Sequence, residues 1–255
     1  MQIDPTDPRS PSKQIAAALR EQIVSGELLP GAKLRTERSL TDEWGVAPQT
    51  IRQAIALLKN EGLVIGKPGS GVFVRTAPPL IRLGAERFSR AKRAAGKAAQ
   101  QAEAEAAGRS FRQEVLGLGK VEAPELVARH FGVVAGTPVF RRYRREYVDE
   151  QITHVSASYY MPEVVEGTAI TQTSTGPGGS YARLEESGHR LTRFHQEFTA
   201  RMPTPEEIRL LQLPSGTPVM DVLRIAYGED GPLEVYTAVV NANTIIFTED
   251  FDAPE

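Results

Sequence analysis

Two groups of side chains carry the chemistry in this chain of 255 residues. The first is Gln49, Thr50, Arg52 and Gln53, two amides, a hydroxyl and a guanidinium set close together in sequence. Side chains of that length and donor pattern reach base edges in a DNA major groove and pair with phosphates. The second is the run FRRYRREY at residues 140–147. If this run is extended, a period of two puts Arg142, Arg144 and Glu146 on one face and Arg141, Tyr143, Arg145 and Tyr147 on the other. A guanidinium is a planar fork that holds carboxylate or phosphate bidentately, so whichever set faces a cleft suits an anion. The carboxylates and arginines show no spacing of a general acid and base, so an enzyme, such as a lyase, is not expected. Zero cysteines exclude disulfides, thiolate zinc sites and a cysteine nucleophile, and His130, His154, His189 and His195 lack metal-ligand spacing. Neither a metal nor a cofactor is expected.

The elements that must position the first group follow from local pattern. Thr36 to Trp44 is helix-competent and Gly45 stands where the helix must stop, since glycine enters the left-handed region without cost. Pro48 suits the first turn of a second helix, on which Ile51, Ala54, Ile55 and Leu58 recur as one apolar stripe. The opposite face of that helix carries the DNA-competent side chains. Gly62 closes it, Leu63 to Ile65 is a short strand, residues 66–71 form a glycine-rich turn, and Val72 to Val74 is the returning strand. The tip is small enough to lie against a phosphate or in a minor groove. Thr36 and Thr50 suit helix capping and phosphate contact equally.

From Gln14 onward the stretch QIAAALREQIVSGELLPGAKLRTERSLTDEWGVAPQTIRQAIALLKNEGLVIGKPGSGVFV resembles the GntR family of bacterial transcription regulators. The resemblance implies a winged helix–turn–helix domain over residues 1–76, with Arg38, Gln49, Thr50, Arg52 and the wing residue Gly69 contacting DNA, beside Gln53 from the helix face. The chain departs from the family pattern at Val46-Ala47-Pro48, where a serine and an arginine usually follow the valine. Ala47 and Pro48 cannot make those side-chain hydrogen bonds.

The charge divides unevenly. Residues 1–76 hold ten Lys/Arg against eight Asp/Glu and residues 77–109 seven against three, so the first 109 residues are net +6 and the rest −8. A DNA-binding arm joined to an acidic domain has this asymmetry. Pro78 and Pro79 open a linker over 77–107, in which Glu86 to about Ala107 reads as one Ala-rich helix stopped by Gly108. Its basic residues Arg87, Arg90, Lys92 and Arg93 are expected to be solvated.

Residues 108–255 read as strands with a few helices, α+β with an antiparallel sheet. Strands are expected at 111–121, 138–148, 152–160, 190–202, 219–227 and 233–240, with an edge strand at 245–251, and helices at 124–131, 180–187 and 205–211. The run Gly176-Pro177-Gly178-Gly179-Ser180 before a helix fits an anion-binding turn or a flexible loop.

The segments GSYARLEESGHRLTRFHQEFTARMPTPEE, LQLPSGTPVMDVLRIAY and DGPLEVYTAVV are similar to the UTRA effector-binding domain of the HutC branch, a fold related to chorismate lyase. The whole resembles high-GC actinobacterial members of that branch. The resemblance implies a small anionic or sugar-like effector between the sheet and its loops, with Arg142, Arg144, Ser158, Tyr159, Arg193, Glu234 and Tyr236 as candidate contacts. Glu234 matches a glutamate of the family, while a tyrosine often found in its closing segment is missing from VVNANTIIF.

The expected function is a DNA-binding transcriptional regulator, a repressor that binds a palindromic double-stranded operator as a homodimer under effector control. An effector-independent DNA-binding repressor or architectural protein, for example one controlling plasmid transfer genes, is the alternative. No apolar run approaches the length of a membrane span and the N-terminus has no apolar signal core, so no membrane partner and a cytoplasmic location are expected.

Overall fold

A computed structural model describes residues 2–76, 81–84, 88–91, 96 and 99–250. The chain divides into two compact units, Met1–Pro78 with Leu213–Thr217, and Pro79–Gln212 with Pro218–Glu255.

The first unit contains α1 (Pro11–Val24), α2 (Glu37–Trp44), α3 (Pro48–Asn60) and the antiparallel pair β1 (Val64–Lys67) and β2 (Gly71–Val74). Thr36 caps α2 by accepting a hydrogen bond from the Ser39 amide at 3.2 Å. Such a cap contributes about 1 kcal/mol. Gly45 ends α2 at φ +64°, in the left-handed region where a side chain is strained. The apolar stripe of α3 (Ile51, Ala54, Ile55 and Leu58) is buried with Leu40 and Trp44 of α2 and with Ile15 and Leu19 of α1. This core leaves the opposite face of α3 to solvent. The hairpin turns at Gly69, φ +70°.

The second unit is built on a six-stranded antiparallel sheet of order β4-β5-β6-β9-β8-β7. Its strands are β4 (Phe111–Glu122), β5 (Pro138–Val148), β6 (Gln151–Tyr160), β7 (Arg193–Arg201), β8 (Val219–Tyr227) and β9 (Pro232–Asn241). The β5–β6 turn puts Asp149 and Glu150 at φ 46° and 63°, the twist a two-residue hairpin loop needs. The Asp149 carboxylate accepts from the Ser110 amide at 2.8 Å and binds the Arg109 guanidinium, which compensates for using non-glycine residues there. Register shifts in β4 between Val115 and Gly117, where a bulge bends the strand.

The sheet is covered on both faces. On one, α4 (Ala99–Ala106), a short α6 (Pro162–Val165) and α7 (Gly179–Glu186) pack over Phe140, Tyr160, Tyr236 and Ala238. On the other, α5 (Glu125–Phe131) packs over Val139, Ala157, Tyr159 and Val235, and α8 (Pro205–Leu211) lies beside it.

Three expectations need correction. The helix over 86–107 is not one piece. Gly96 has φ +78° and its carbonyl accepts from the Gly178 amide at 2.8 Å, so a glycine and a tertiary hydrogen bond interrupt a stretch with no apolar stripe to hold it helical. Arg90 is not merely solvated, since it donates to Glu185 and to the Leu191 carbonyl, each at 3.1 Å; Arg87, Lys92 and Arg93 lie outside the described residues. The last strand, β10 (Ile245–Thr248), does not extend the main sheet but pairs in parallel with β3 (Ile81–Gly84), a strand in the stretch expected to be linker. Phe251 lies outside the described residues.

Candidate functional site

The first unit presents Gln49, Arg52 and Gln53 on the exposed face of α3, with Thr50 half-buried at its start and Arg38 exposed on α2. No side chain caps α3, whose N-cap is Ala47. Thr36, by contrast, is occupied as a cap. Arg20 and Arg35 are engaged with Glu61 and Glu43, whereas Arg38 and Arg52 have no acidic partner among the described residues. At the wing, Gly69 is exposed, and the ammonium groups of Lys67 and Lys33 lie 4.8 and 6.0 Å from the Phe73 ring centroid. The two lysines were not singled out in the sequence. Their positions on a glycine-tipped hairpin add positive charge beside the exposed face of a helix, which is the arrangement that neutralises phosphates while a helix reads base edges.

The second unit encloses a cavity of about 70 Å³ lined by residues from β5, β6, β8, β9, the 175–181 segment and Phe88. Antiparallel register builds its floor: Arg142 lies opposite Ser158, Ser158 opposite Tyr236, and Tyr236 opposite Arg224. One row across four strands therefore carries two guanidiniums, a hydroxyl and a phenol. Arg144, two residues along β5, joins the same face, and Gln113, Gly178, Gly179 and Ser180 complete the lining.

The arginines do different work. Arg142 is 1% exposed and spends its donors on backbone, reaching the Ile170 carbonyl at 2.5 Å, the Thr173 carbonyl at 3.1 Å and the Gln172 carbonyl. Arg144 donates to Ser158 Oγ at 2.6 Å. Arg224 lies 3.9 Å from the Tyr236 ring centroid and 3.7 Å from Glu234 Oε2. The Nε atoms of all three are buried without a hydrogen-bond partner, a costly state for a donor.

Glu234 receives the Tyr160 hydroxyl at 2.7 Å and the Tyr181 hydroxyl at 2.6 Å, one on each oxygen. Burial alone would push its carboxyl up, but Arg224 and the two phenols hold it below the usual carboxylate range. The same burial raises Tyr160 and Tyr181 and pushes Tyr236 up to about 12, so the phenols stay neutral donors. Glu146 is likewise occupied, accepting from Ser156 Oγ at 3.2 Å and contacting the His154 ring. Three arginines face two carboxylates, of which Glu234 has a donor on each oxygen while Glu146 Oε2 has no hydrogen-bond partner. Counting the arginines and the carboxylates alone, three against two, the site has a formal surplus of one positive charge.

Of the effector-contact candidates, Arg142, Arg144, Ser158, Glu234 and Tyr236 are brought together here. Tyr159 is not: as the next residue on β6 it points to the other face, where it lines a separate groove of about 580 Å³ with Arg141, Tyr143 and Leu223. Arg193 also lies apart, exposed at the start of β7 and stacked 3.9 Å over Tyr227. Sequence reasoning missed Arg224, Tyr160, Tyr181, Gln113 and Phe88. The signal for Arg224 was available, because it follows from the cross-strand register once the Arg142 face is chosen.

A winged helix–turn–helix unit joined to an antiparallel-sheet unit with an arginine-lined cavity points to a DNA-binding transcriptional regulator. Comparison with known proteins specifies which. The model of bacterial regulatory proteins of the gntR family matches residues 11–74 and that of the UTRA domain residues 106–245. An uncharacterized HTH-type transcriptional regulator of Streptomyces coelicolor is 34% identical over 97% of this chain and 95% of its own length. An HTH-type transcriptional regulator of Mycobacterium tuberculosis is 30% identical, covering 88% of this chain and 79% of that protein. The HTH-type transcriptional repressor NagR of Bacillus subtilis is 24% identical over 86% of this chain and 84% of its own. The chain belongs to the GntR family, with the HutC-type combination of GntR and UTRA domains. The fold agrees: the crystal structure of PhnF from Mycobacterium smegmatis superposes with a TM-score of 0.58 at 22% identity, covering 94% of this chain and all of that one. Among the described residues no helix is long and apolar enough to cross a membrane.

Proposed function

We propose that the chain is a cytoplasmic transcriptional repressor that binds a two-fold symmetric operator as a homodimer, with its affinity set by a small anion held in the 70 Å³ cavity. The observation that carries the effector reading is the cluster of Arg142, Arg144 and Arg224, whose buried Nε donors lack partners beside Glu234, a carboxylate with a donor on each oxygen already. Arg144 and Arg224, with Ser158 and Tyr236, are the proposed effector contacts, and Arg142 holds the covering segment. The residues proposed to meet DNA are Arg38, Gln49, Thr50, Arg52, Gln53 and Gly69, on a domain of residues 1–76. The remaining length serves as connector over 77–107 and as effector and dimerisation domain over 108–255. A winged unit alone reads a short half-site, and a symmetric dimer reads two.

Two measurements test this. Selection of bound sequences from random duplex DNA, at two salt concentrations, is expected to return a palindrome with spaced half-sites. Binding without sequence preference that fades uniformly with salt would reject specific readout and leave an effector-independent DNA-binding protein. Thermal unfolding against a panel of small phosphates and carboxylates is expected to find an anion that stabilises the chain by about 2.7 kcal/mol at a hundredfold excess over Kd. Arg224→Gln should remove that stabilisation.

A further inference from the structure

In sequence Phe88 falls between β3 and α4, in the polar stretch Glu86-Arg87-Phe88-Ser89-Arg90. A lone aromatic in such a stretch would ordinarily be exposed, yet Phe88 is only 8% exposed and its ring lines the cavity. It stacks on Phe194 with centroids 4.6 Å apart at 21°, and meets Tyr181 edge-on at 6.1 Å and 65°. The Arg224 guanidinium carbon is 5.0 Å from the Phe88 centroid, so Arg224 is within cation–π range of this ring as well as of Tyr236. Two residues on, Arg90 fastens the same stretch to Glu185 of α7.

We propose that Phe88 couples cavity occupancy to the connecting stretch: its ring closes over Arg224, so that a bound anion and a seated Phe88 stabilise each other. This rests on the reading of the cavity as an anion site. A guanidinium accepts an oxyanion edge-on, in its own plane, and leaves its faces to aromatic rings. The covering ring excludes water and thereby strengthens the ion pair. The anion in turn fixes the guanidinium plane on which the ring rests. Because the coupling is reciprocal, whatever factor the anion gains from a seated Phe88, the seating of Phe88 gains from the anion.

Chymotrypsin cleaves after phenylalanine, so the rate of cleavage after Phe88 in the full chain reports how often the ring leaves its seat. Inorganic phosphate is the probe for the anion, with its binding followed by calorimetry. Phosphate is expected to slow cleavage after Phe88 by about fivefold or more, the lower end of usual coupling. Arg224→Gln should speed that cleavage by a similar factor and abolish the phosphate effect, and Phe88→Ala should weaken phosphate binding about as much. If phosphate binds but neither the cleavage rate nor the Phe88→Ala affinity changes, the coupling is wrong and the anion site stands. If phosphate gives no heat while Arg224→Gln still exposes Phe88, the seat stands and the anion reading fails for this probe. If Arg224→Gln leaves cleavage unchanged, the seat itself is wrong. Should Arg224→Gln fail to fold by circular dichroism, Arg224→Lys replaces it, since an ammonium keeps the charge but offers no planar face to the ring. The same acceleration is then expected.

Discussion

Arg142 and Arg224 lie on one row of the sheet and carry the same charge, but their surroundings give them different tasks. Arg142 has the carbonyls of Ile170, Gln172 and Thr173 for partners and so holds a segment of chain against the sheet. Arg224 has the rings of Phe88, Tyr181 and Tyr236 within cation–π range and a carboxylate 3.7 Å away, and its buried Nε has no hydrogen-bond partner, which leaves that donor for an incoming anion. Arg142→Met strands the buried Ile170 carbonyl, at a cost of roughly 1–3 kcal/mol, and releases those of Gln172 and Thr173. Differential thermal unfolding of the variant should therefore show a large loss of stability with no ligand present, and a melt matching wild type would make Arg142 a ligand contact instead. On the DNA side, Arg52 is exposed with no acidic partner among the described residues, so its removal costs the fold nothing that the structure shows. Arg52→Ala should abolish operator binding in a mobility-shift assay while sedimentation still finds the wild-type oligomer. Loss of both together would mean that Arg52 supports assembly rather than readout.

Helix α8 shows how an element is held in place and when it should let go. Thr204 and Glu207 form a reciprocal capping box, and Glu207 also receives Arg201 at 2.7 Å on each oxygen, while Arg201 reaches Asp221 on β8. The hydrogen bonds from Arg201, chiefly, hold Glu207 down from its ordinary 4.5 to about 2, against the opposing effect of burial. A carboxyl depressed on folding adds stability above its unfolded value and loses it as pH falls through the folded one. Glu207→Gln should accordingly lower the melting temperature at neutral pH, with the gap closing between about 4.5 and 2. A gap unchanged across that window would show that the ion pair contributes nothing.

The same scale explains what the sequence made legible. The elements α2, α3 and the wing were readable because Gly45, Gly62 and Gly69 punctuate a stripe of period 3.6. The alternation of β5 and β6 was readable too. Which face of β5 bounds the cavity was not, because both faces carry two arginines, and the distinction lies in what covers them: α4 and α7 on one side, α5 and α8 on the other. Tyr159 was misplaced by one residue of register, which is a whole face of a sheet. Arg224 was overlooked because a single charge within DVLRIAY looks like a solvated residue, and Tyr160 and Tyr181 because buried tyrosines look like core. β3 was hidden since its only partner among the described residues is β10, more than 150 residues away, and no local pattern announces a parallel pair.

At the scale of the whole molecule, net charge and DNA binding seem to conflict, since the chain totals −2 and its first 76 residues are only +2. The conflict dissolves once positions rather than totals are considered. Lys33, Arg38, Arg52 and Lys67 are all exposed and surround the open face of α3 and the wing, whereas Arg20 and Arg35 are already paired with Glu61 and Glu43. Phosphate neutralisation depends on the cations that reach the backbone, and each contributes about 0.9 to the slope of log K against log salt. Four per protomer give a slope of about −4 for one protomer and about −7 for the proposed dimer on a symmetric site. Fluorescence anisotropy on a selected operator over a range of salt concentrations distinguishes the two, and a half-site duplex measured beside it serves as the internal control. A slope near −7 on the full site and about half that on the half-site would support two protomers binding alike. Equal slopes on both would mean that a single protomer carries the contact, and the homodimer reading would fall even if the operator proved palindromic.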